Sequence, residues 1–107
     1  SAKSYGVGLM DHIVIPMDFE WDYNKEILNI SKHNVSFSQA KQAFRDDLRI
    51  IADNHIKGKS EKRYYCYGAV NGNIMTVRFT LQNNRVRIIG AAYWRKGRKI
   101  YESRKQH

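Results

Sequence analysis

Apolar and polar positions change period along the chain. The early run "IVIPMDFEW" (Ile13 to Trp21) is apolar and β-prone, which predicts a short first strand with Pro16 at or outside its edge. Asp22 then stands where a helix N-cap belongs. From about Tyr23 to His33 the spacing turns helical, with Ile27, Leu28 and Ile30 on an apolar side. Lys25, Asn29 and Lys32 fall on a polar side, at spacings of four and three. Ser36 and Gln39 have capping-box spacing and open a second helix, about Phe37 to Phe44. Phe37, Ala40, Ala43 and Phe44 point inward, and Asp46-Asp47 stops the helix.

From Leu48 onward the period is that of strands. "LRIIAD" (Leu48 to Asp53), "RYYCYGAV" (Arg63 to Val70), "NIMTVRFTL" (Asn73 to Leu81) and "RVRIIGAAY" (Arg85 to Tyr93) each read as a strand. The stretch "NHIKGKSEK" reads as a polar loop, Asn71-Gly72 as a type I′ hairpin turn, and "QNN" as a further turn. Arg85 and Arg87 alternate with Val86 and Ile88, so the arginines share one sheet face. "WRKGRKIYESRKQ" predicts a short basic helix interrupted at Gly97. The sum is an α+β fold: two N-terminal helices packed on an antiparallel sheet of about four strands, with a short C-terminal helix. One sheet face is covered by helices and the other is polar and basic.

Charge sharpens this picture. The 107 residues carry a formal +9, unevenly placed. Residues 1–56 sum to −2, whereas residues 57–107 sum to +11, with only Glu61 and Glu102 as acidic side chains. A half this basic suits a polyanion such as nucleic acid, with an acidic protein as a further partner class. A solvated surface is the bland reading. No apolar run approaches the roughly 20 residues of a membrane span. The single cysteine, Cys66, sits among Tyr64, Tyr65 and Tyr67 and reads as a buried small hydrophobe in a cytoplasmic protein. "SAKSYGVGLMDH" has no secretory pattern, and residues 1–11 read as a tag remnant ahead of one domain over 12–107.

Few chemistries survive. His12, His33, His55 and His107 share no ligating spacing, and Cys66 has no cysteine partner, so no metal or other cofactor is expected. No Walker loop, dinucleotide fingerprint or nucleophile elbow occurs. What remains is cationic and aromatic, with arginines and lysines interleaved with tyrosines and Trp94. Guanidinium forks hold phosphates, and aromatic faces stack unpaired bases, which favours single-stranded RNA. Alternation turns half of the aromatics inward, so either Tyr64 or Tyr65 reaches the surface, not both. Such a surface can cleave RNA when the 2′-hydroxyl attacks the adjacent phosphate and the protein supplies a base, an acid and charge stabilisation.

The stretch "FEWDYNKEILNISKHNVSFSQAKQAF" resembles the N-terminal signature of the BrnT toxins. "RYYCYGAVNGNIMTVRFT" and "RVRIIGAAYWRKGRKIYE" resemble the hairpin and the closing strand and helix of the same family, so the likeness covers about Phe19 to Glu102. It implies a RelE-like fold and the toxin of a type II toxin–antitoxin pair that cuts RNA and arrests translation. It also implies neutralisation by a BrnA-type ribbon-helix-helix antitoxin, whose complex with the toxin binds promoter DNA. One departure stands out. Many members carry a second arginine where this chain has Ala92. Either Arg95 supplies that cation one turn later, or the activity is lower.

On this reading Arg63, Arg87 and Arg95 are expected as phosphate and transition-state cations, with Arg78, Lys25 and Lys32 as further substrate contacts. Trp21, Tyr93 and Trp94 are base-stacking candidates, and His33 is a candidate for proton transfer. The stretch "KHNVSF" has a structural reading beside that one. Lys32 and His33 suit the negative end of a helix dipole, and Asn34 suits a left-handed cap. The alternative function is a non-catalytic module that binds nucleic acid or antitoxin and acts as a co-repressor.

Overall fold

The computed structural model describes residues 8–9, 14–54 and 62–105. Ile13 and most of the expected polar loop (residues 55–61) lie outside the described residues, as do His12, His55 and His107. The described elements run β1 (Gly8–Leu9), β2 (Phe19–Trp21), α1 (Tyr23–His33), α2 (Phe37–Ala40), a 3-10 turn (Lys41–Arg45), β3 (Ile50–Asn54), β4 (Arg63–Val70), β5 (Asn73–Gln82), β6 (Arg85–Ala92) and α3 (Arg95–Lys105). The sheet order is β1-β3-β4-β5-β6-β2. Neighbours from β3 to β6 pair antiparallel, as the alternation predicts. The sheet is nevertheless mixed and longer than four strands. Gly8–Leu9, within the segment read as a tag remnant, pairs antiparallel with Asp53 and Ala52. At the other edge β2 runs parallel to β6.

That parallel pairing explains why the first strand is so short. Only Phe19–Trp21 of the expected Ile13–Trp21 run is strand; Val14 and Met17 are exposed. The register Phe19↔Val86, Glu20↔Arg87, Trp21↔Ile88 puts apolar beside apolar on one face and acid beside arginine on the other. Asp18 continues the match, pairing with Arg85 at 3.0 Å.

Local signals at the helix ends are realised in detail. Asp22 caps α1 by accepting from the Asn24 and Lys25 amides. Asn34 ends it with φ 55° and donates its amide to the Ile30 carbonyl. Ser36 and Gln39 form the reciprocal capping box. Beyond Ala40 the second helix tightens into a 3-10 turn, so α2 is shorter than expected. The tightening lets the Ala43 backbone lie against Gly68 of β4, where a Cβ would collide with it. Both hairpin turns use left-handed residues: Asn71 and Gly72 at φ 52° and 82°, Asn83 and Asn84 at 53° and 59°.

The orientation of α1 corrects the pattern reading. Ile27, Leu28 and Ile30 are exposed, and the buried side chain is Asn29. Its amide nitrogen donates to the Val35 and Ala91 carbonyls, both at 2.9 Å, and its oxygen accepts from the Ala91 amide at 3.1 Å. A polar side chain that satisfies three backbone groups can be buried where an apolar one would orphan them. So α1 is moored to the end of β6 by hydrogen bonds. The apolar cover comes from α2 and the 3-10 turn, through Phe37, Ala40, Ala43 and Phe44.

That cover meets Tyr64, Cys66, Val70, Met75, Val77, Phe79, Val86 and Ile88 on one sheet face. Burial pushes the Cys66 thiol pKa up, as suits a small hydrophobe. The opposite face is not uniformly polar. Ile50, Ala52 and Tyr67 form a second apolar cluster there with Ile100 and Tyr101 of α3. Gly97 does not interrupt α3; it lets the helix lie on Thr76 and the Tyr67 ring, where any Cβ would collide.

Candidate functional site

The second face of the sheet divides along its strands. Strand β5 presents Ile74, Thr76, Arg78 and Thr80 there, because Met75, Val77 and Phe79 fill the first core. Its partners on β4 are Tyr67 opposite Thr76 and Tyr65 opposite Arg78. On β6 they are Ala92 opposite Thr76, Gly90 opposite Arg78 and Arg87 opposite Thr80. A bulge falls between the last two pairs and leaves Ile89 as the extra residue.

Arg78 is the centre of this arrangement. Its guanidinium lies over Gly90, where a Cβ would stand 2.9 Å from Nη2. The Trp94 ring sits 5.9 Å from Cζ, within cation–π range. Its Nε is buried with no hydrogen-bond partner, and no carboxylate pairs with it among the described residues. The His33 ring also stands edge-on to Trp94, at 5.5 Å and 80°. The Asn29 bonds bring them together, holding the end of α1 beside the residue next but two to Trp94.

Above Arg78 opens a recess of about 220 Å³. Tyr65, Tyr67 and Thr76 form its floor, while Trp94 just precedes α3 and Lys96 and Gly97 lie in its first turn. Burial, then the neighbouring Tyr65 and Cys66, raise the Tyr67 hydroxyl pKa, so Tyr67 stays protonated and is no base at neutral pH. Trp94, the residue before α3, has no side-chain acceptor, so its indole cannot cap the first-turn amides. The recess therefore combines two cations, the positive end of a helix and aromatic walls. It can hold an anionic group beside a flat ring.

The other expected residues are placed as follows. Arg87 shares the second face, but its Nη1 is 2.8 Å from Glu20 Oε2, so its charge is compensated. Arg63 lies at the far end of β4 on the same face. Arg95 opens a neighbouring recess of about 460 Å³ with Tyr93, Asn73 and Arg98, and Trp94 lines both recesses. The Tyr93 hydroxyl donates to the Val70 carbonyl at 3.4 Å. Lys25 and Lys32 are exposed on α1. Trp21 belongs to the first face, edge-on to Phe37 at 6.1 Å, with Lys41 Nζ 5.8 Å from its ring. Of the expected set, the structure therefore gathers Arg78, Trp94 and His33.

Sequence reasoning passed over Thr76, Lys96 and Asn29 as site residues. Thr76 carried a signal, since it shares parity with Arg78 on β5. Asn29 carried none, because its partners are backbone groups distant in sequence. Among the described residues, no three His, Cys, Asp or Glu side chains gather as a metal-ligating group, and no helix is long and apolar enough to cross a membrane.

Comparison with known proteins adds one finding. Residues 21–97 match the family model described as "Ribonuclease toxin, BrnT, of type II toxin-antitoxin system". The matched span includes α1, all of β3 to β6, and the first turn of α3 with Lys96 and Gly97. No curated protein matches the chain.

Proposed function

This chain belongs to the BrnT family of ribonuclease toxins of type II toxin–antitoxin systems, and from that premise we propose that it is a metal-independent endoribonuclease that cuts RNA at the Arg78 recess and so inhibits translation. The observation that carries this reading is the uncompensated, partly buried guanidinium of Arg78, set under Trp94 beside Lys96. A buried cation without a carboxylate is costly in the free protein. It becomes favourable when a phosphate arrives, and more so when that phosphate gains charge.

The chemistry follows from that charge. The RNA 2′-oxygen attacks the adjacent phosphorus as its proton leaves to a base. The bond to the 5′-oxygen breaks, and an acid protonates the leaving oxygen. The products are a 2′,3′-cyclic phosphate and a free 5′-hydroxyl. Arg78 and Lys96 stabilise the phosphorane-like transition state, where a preorganised donor is worth about 10²–10³ in rate. His33, held edge-on to Trp94, is the proton-transfer candidate. Arg63 extends the cationic face along which the strand lies, Arg87 borders it as an ion pair with Glu20, and Arg95 with Lys25 and Lys32 adds charge at its margins. A BrnA-type ribbon-helix-helix antitoxin neutralises the toxin in the cytoplasm, and their complex binds promoter DNA.

A second reading has its own observation. Arg87 is engaged by Glu20, and Ala92 stands where an arginine is expected. A toxin-like module that binds antitoxin without cutting RNA is consistent with both. Induced expression in bacteria with mapping of RNA 5′ ends, wild type beside Arg78→Ala, separates the two. New 5′-hydroxyl ends and growth arrest that disappear in Arg78→Ala support the endoribonuclease. Intact RNA and normal growth with a folded wild-type protein overturn it and leave the binding module.

A further inference from the structure

We propose that the recess between Tyr65 and Trp94 is a subsite for one unpaired nucleobase, and that it prefers purines to pyrimidines without telling adenine from guanine. The proposal rests on the reading of this chain as an RNA-cutting protein, because RNA is the ligand that presents such a base beside a phosphate.

Size sets the first limit. The recess holds about 220 Å³, below the roughly 300–1,000 Å³ of sites that bury drug-sized ligands. That room suits one base and not two. The walls set the second limit. Tyr65 and Tyr67 form a tilted pair 5.8 Å apart, and Trp94 faces the same space from the start of α3. Such surfaces take the flat face of a base by stacking. The cations stand with them, since Arg78 lies directly across from Tyr65 in the sheet and Lys96 follows Trp94 by two residues. A nucleotide whose base enters the recess therefore brings its phosphate to Arg78 and Lys96.

Selectivity follows from what lines the recess. No Asn, Gln, Asp or Glu is among its described lining residues. Those side chains read base edges by paired donors and acceptors. The Thr76 hydroxyl is buried and turned against Gly97, and Tyr67 is buried in the second apolar cluster. Arg78 and Lys96 are taken by the phosphate. Stacking area is left as the discriminating quantity, and it separates purines from pyrimidines but not adenine from guanine.

The two tryptophans provide an internal control. Trp94 lines the recess, whereas Trp21 lies on the other sheet face against Phe37. The test is an NMR titration of the full chain, following both indole N–H signals, with 5′-AMP, 5′-GMP, 5′-CMP, 5′-UMP, ribose 5-phosphate and inorganic phosphate. The Trp94 signal is expected to move with AMP and GMP at affinities within about twofold of each other, while that of Trp21 stays fixed. Loss of the base, in ribose 5-phosphate, should weaken binding about 5- to 150-fold, the range that one stacked base supplies. Pyrimidine nucleotides should fall between. Tyr65→Leu, which keeps apolar bulk on β4, should lower purine affinity about fivefold or more. Equal binding of ribose 5-phosphate and AMP, or a Trp94 signal that does not move, overturns the subsite. Equal purine and pyrimidine affinities overturn its selectivity. The outcomes are separable from those of RNA cleavage. RNA cut with no purine bias beside the cuts would remove the subsite and leave the ribonuclease. Purine binding at Trp94 with uncut RNA would do the reverse.

Discussion

On the face under α2, strands β4 and β5 turn Tyr64, Cys66, Val70, Met75, Val77 and Phe79 inward, all buried and all in one cluster. On the opposite face the same two strands carry Tyr65, Thr76, Arg78 and Thr80. Among these, Thr76 Oγ1, Arg78 Nε and Thr80 Oγ1 are buried without hydrogen-bond partners. Residues one apart in sequence thus serve opposite ends. The first face gains stability from close packing. The second keeps polar groups that the fold leaves unpaired, which is how it departs from a close-packed core.

The sharpest way to break this contrast is to change neighbours on opposite faces. Phe79 is buried between Phe44, edge-on at 5.1 Å, and Tyr64, stacked at 5.4 Å. Phe79→Ala should cost about 3–5 kcal/mol, from lost transfer energy and the cavity left behind. Thr80→Val, one residue on, removes a buried hydroxyl that has no partner. It should leave stability unchanged or raise it. Urea unfolding of both variants checks the pair. A cost in Thr80→Val comparable to that in Phe79→Ala would mean that both faces are built for packing.

Arg78→Met comes next. It keeps the apolar stem and removes the charge. RNA cleavage should fall about 10²–10³-fold, while the urea midpoint stays level or rises, because the charge removed has no carboxylate partner among the described residues. A variant that unfolds would show Arg78 to be a structural residue. One that folds and still cuts would move the chemistry elsewhere, first to the recess near Arg95.

Much of the fold was legible because its signals are local. Asp22, Asn34, and Ser36 with Gln39 each fix a helix end through bonds to amides within a few residues. Asn71-Gly72 and Asn83-Asn84 fix hairpins in the same way. The partner of β2 was not legible. Three residues carry too little alternation, and their match to β6 spans more than sixty positions of sequence. Amphipathicity misled for α1, since Ile27, Leu28 and Ile30 suggest a buried stripe, yet Asn29 satisfies three backbone groups and takes the inner position. The candidate site was half legible. Arg78 and Trp94 follow from charge and aromatic content. Trp21, of the same type as Trp94, falls on the other face because strand parity puts it beside Ile88.

Asn29 provides the third test. Asn29→Ala leaves the Ala91 amide and two carbonyls without their partner, at a cost of about 2–3 kcal/mol. Leu28→Ala, at an exposed neighbour, should change stability by less than about 0.5 kcal/mol. The ordering reverses what hydropathy suggests. A larger loss in Leu28→Ala would restore the apolar stripe as the inner side of α1.

The smallest effect concerns how α3 is held over the second face, at the end away from Arg78. The Tyr101 hydroxyl donates to Asp46 Oδ2 at 2.6 Å, and the Ala69 and Leu48 amides donate to the same carboxylate at 2.8 and 2.9 Å. Burial pushes the Asp46 pKa up, but those bonds and the nearby Arg49 outweigh it and hold the carboxyl below its ordinary value. Burial, then the bond to Asp46, push Tyr101 up to about 12. The two signs bound a pH window. Asp46 contributes stability above its unfolded pKa and loses it as pH falls through the lowered folded value. Tyr101 contributes below its ordinary value of 10.0 and loses that as pH rises toward about 12. Tyr101→Phe removes the shared bond at a cost of about 1 kcal/mol near neutrality. The gap between wild type and variant should therefore stay level from weakly acidic pH to about pH 10, then narrow on both sides. Urea midpoints across that range read it directly. A gap unchanged in both acid and base would mean that the hydroxyl holds α3 by packing alone, leaving the charge of Asp46 no part in closing the second face.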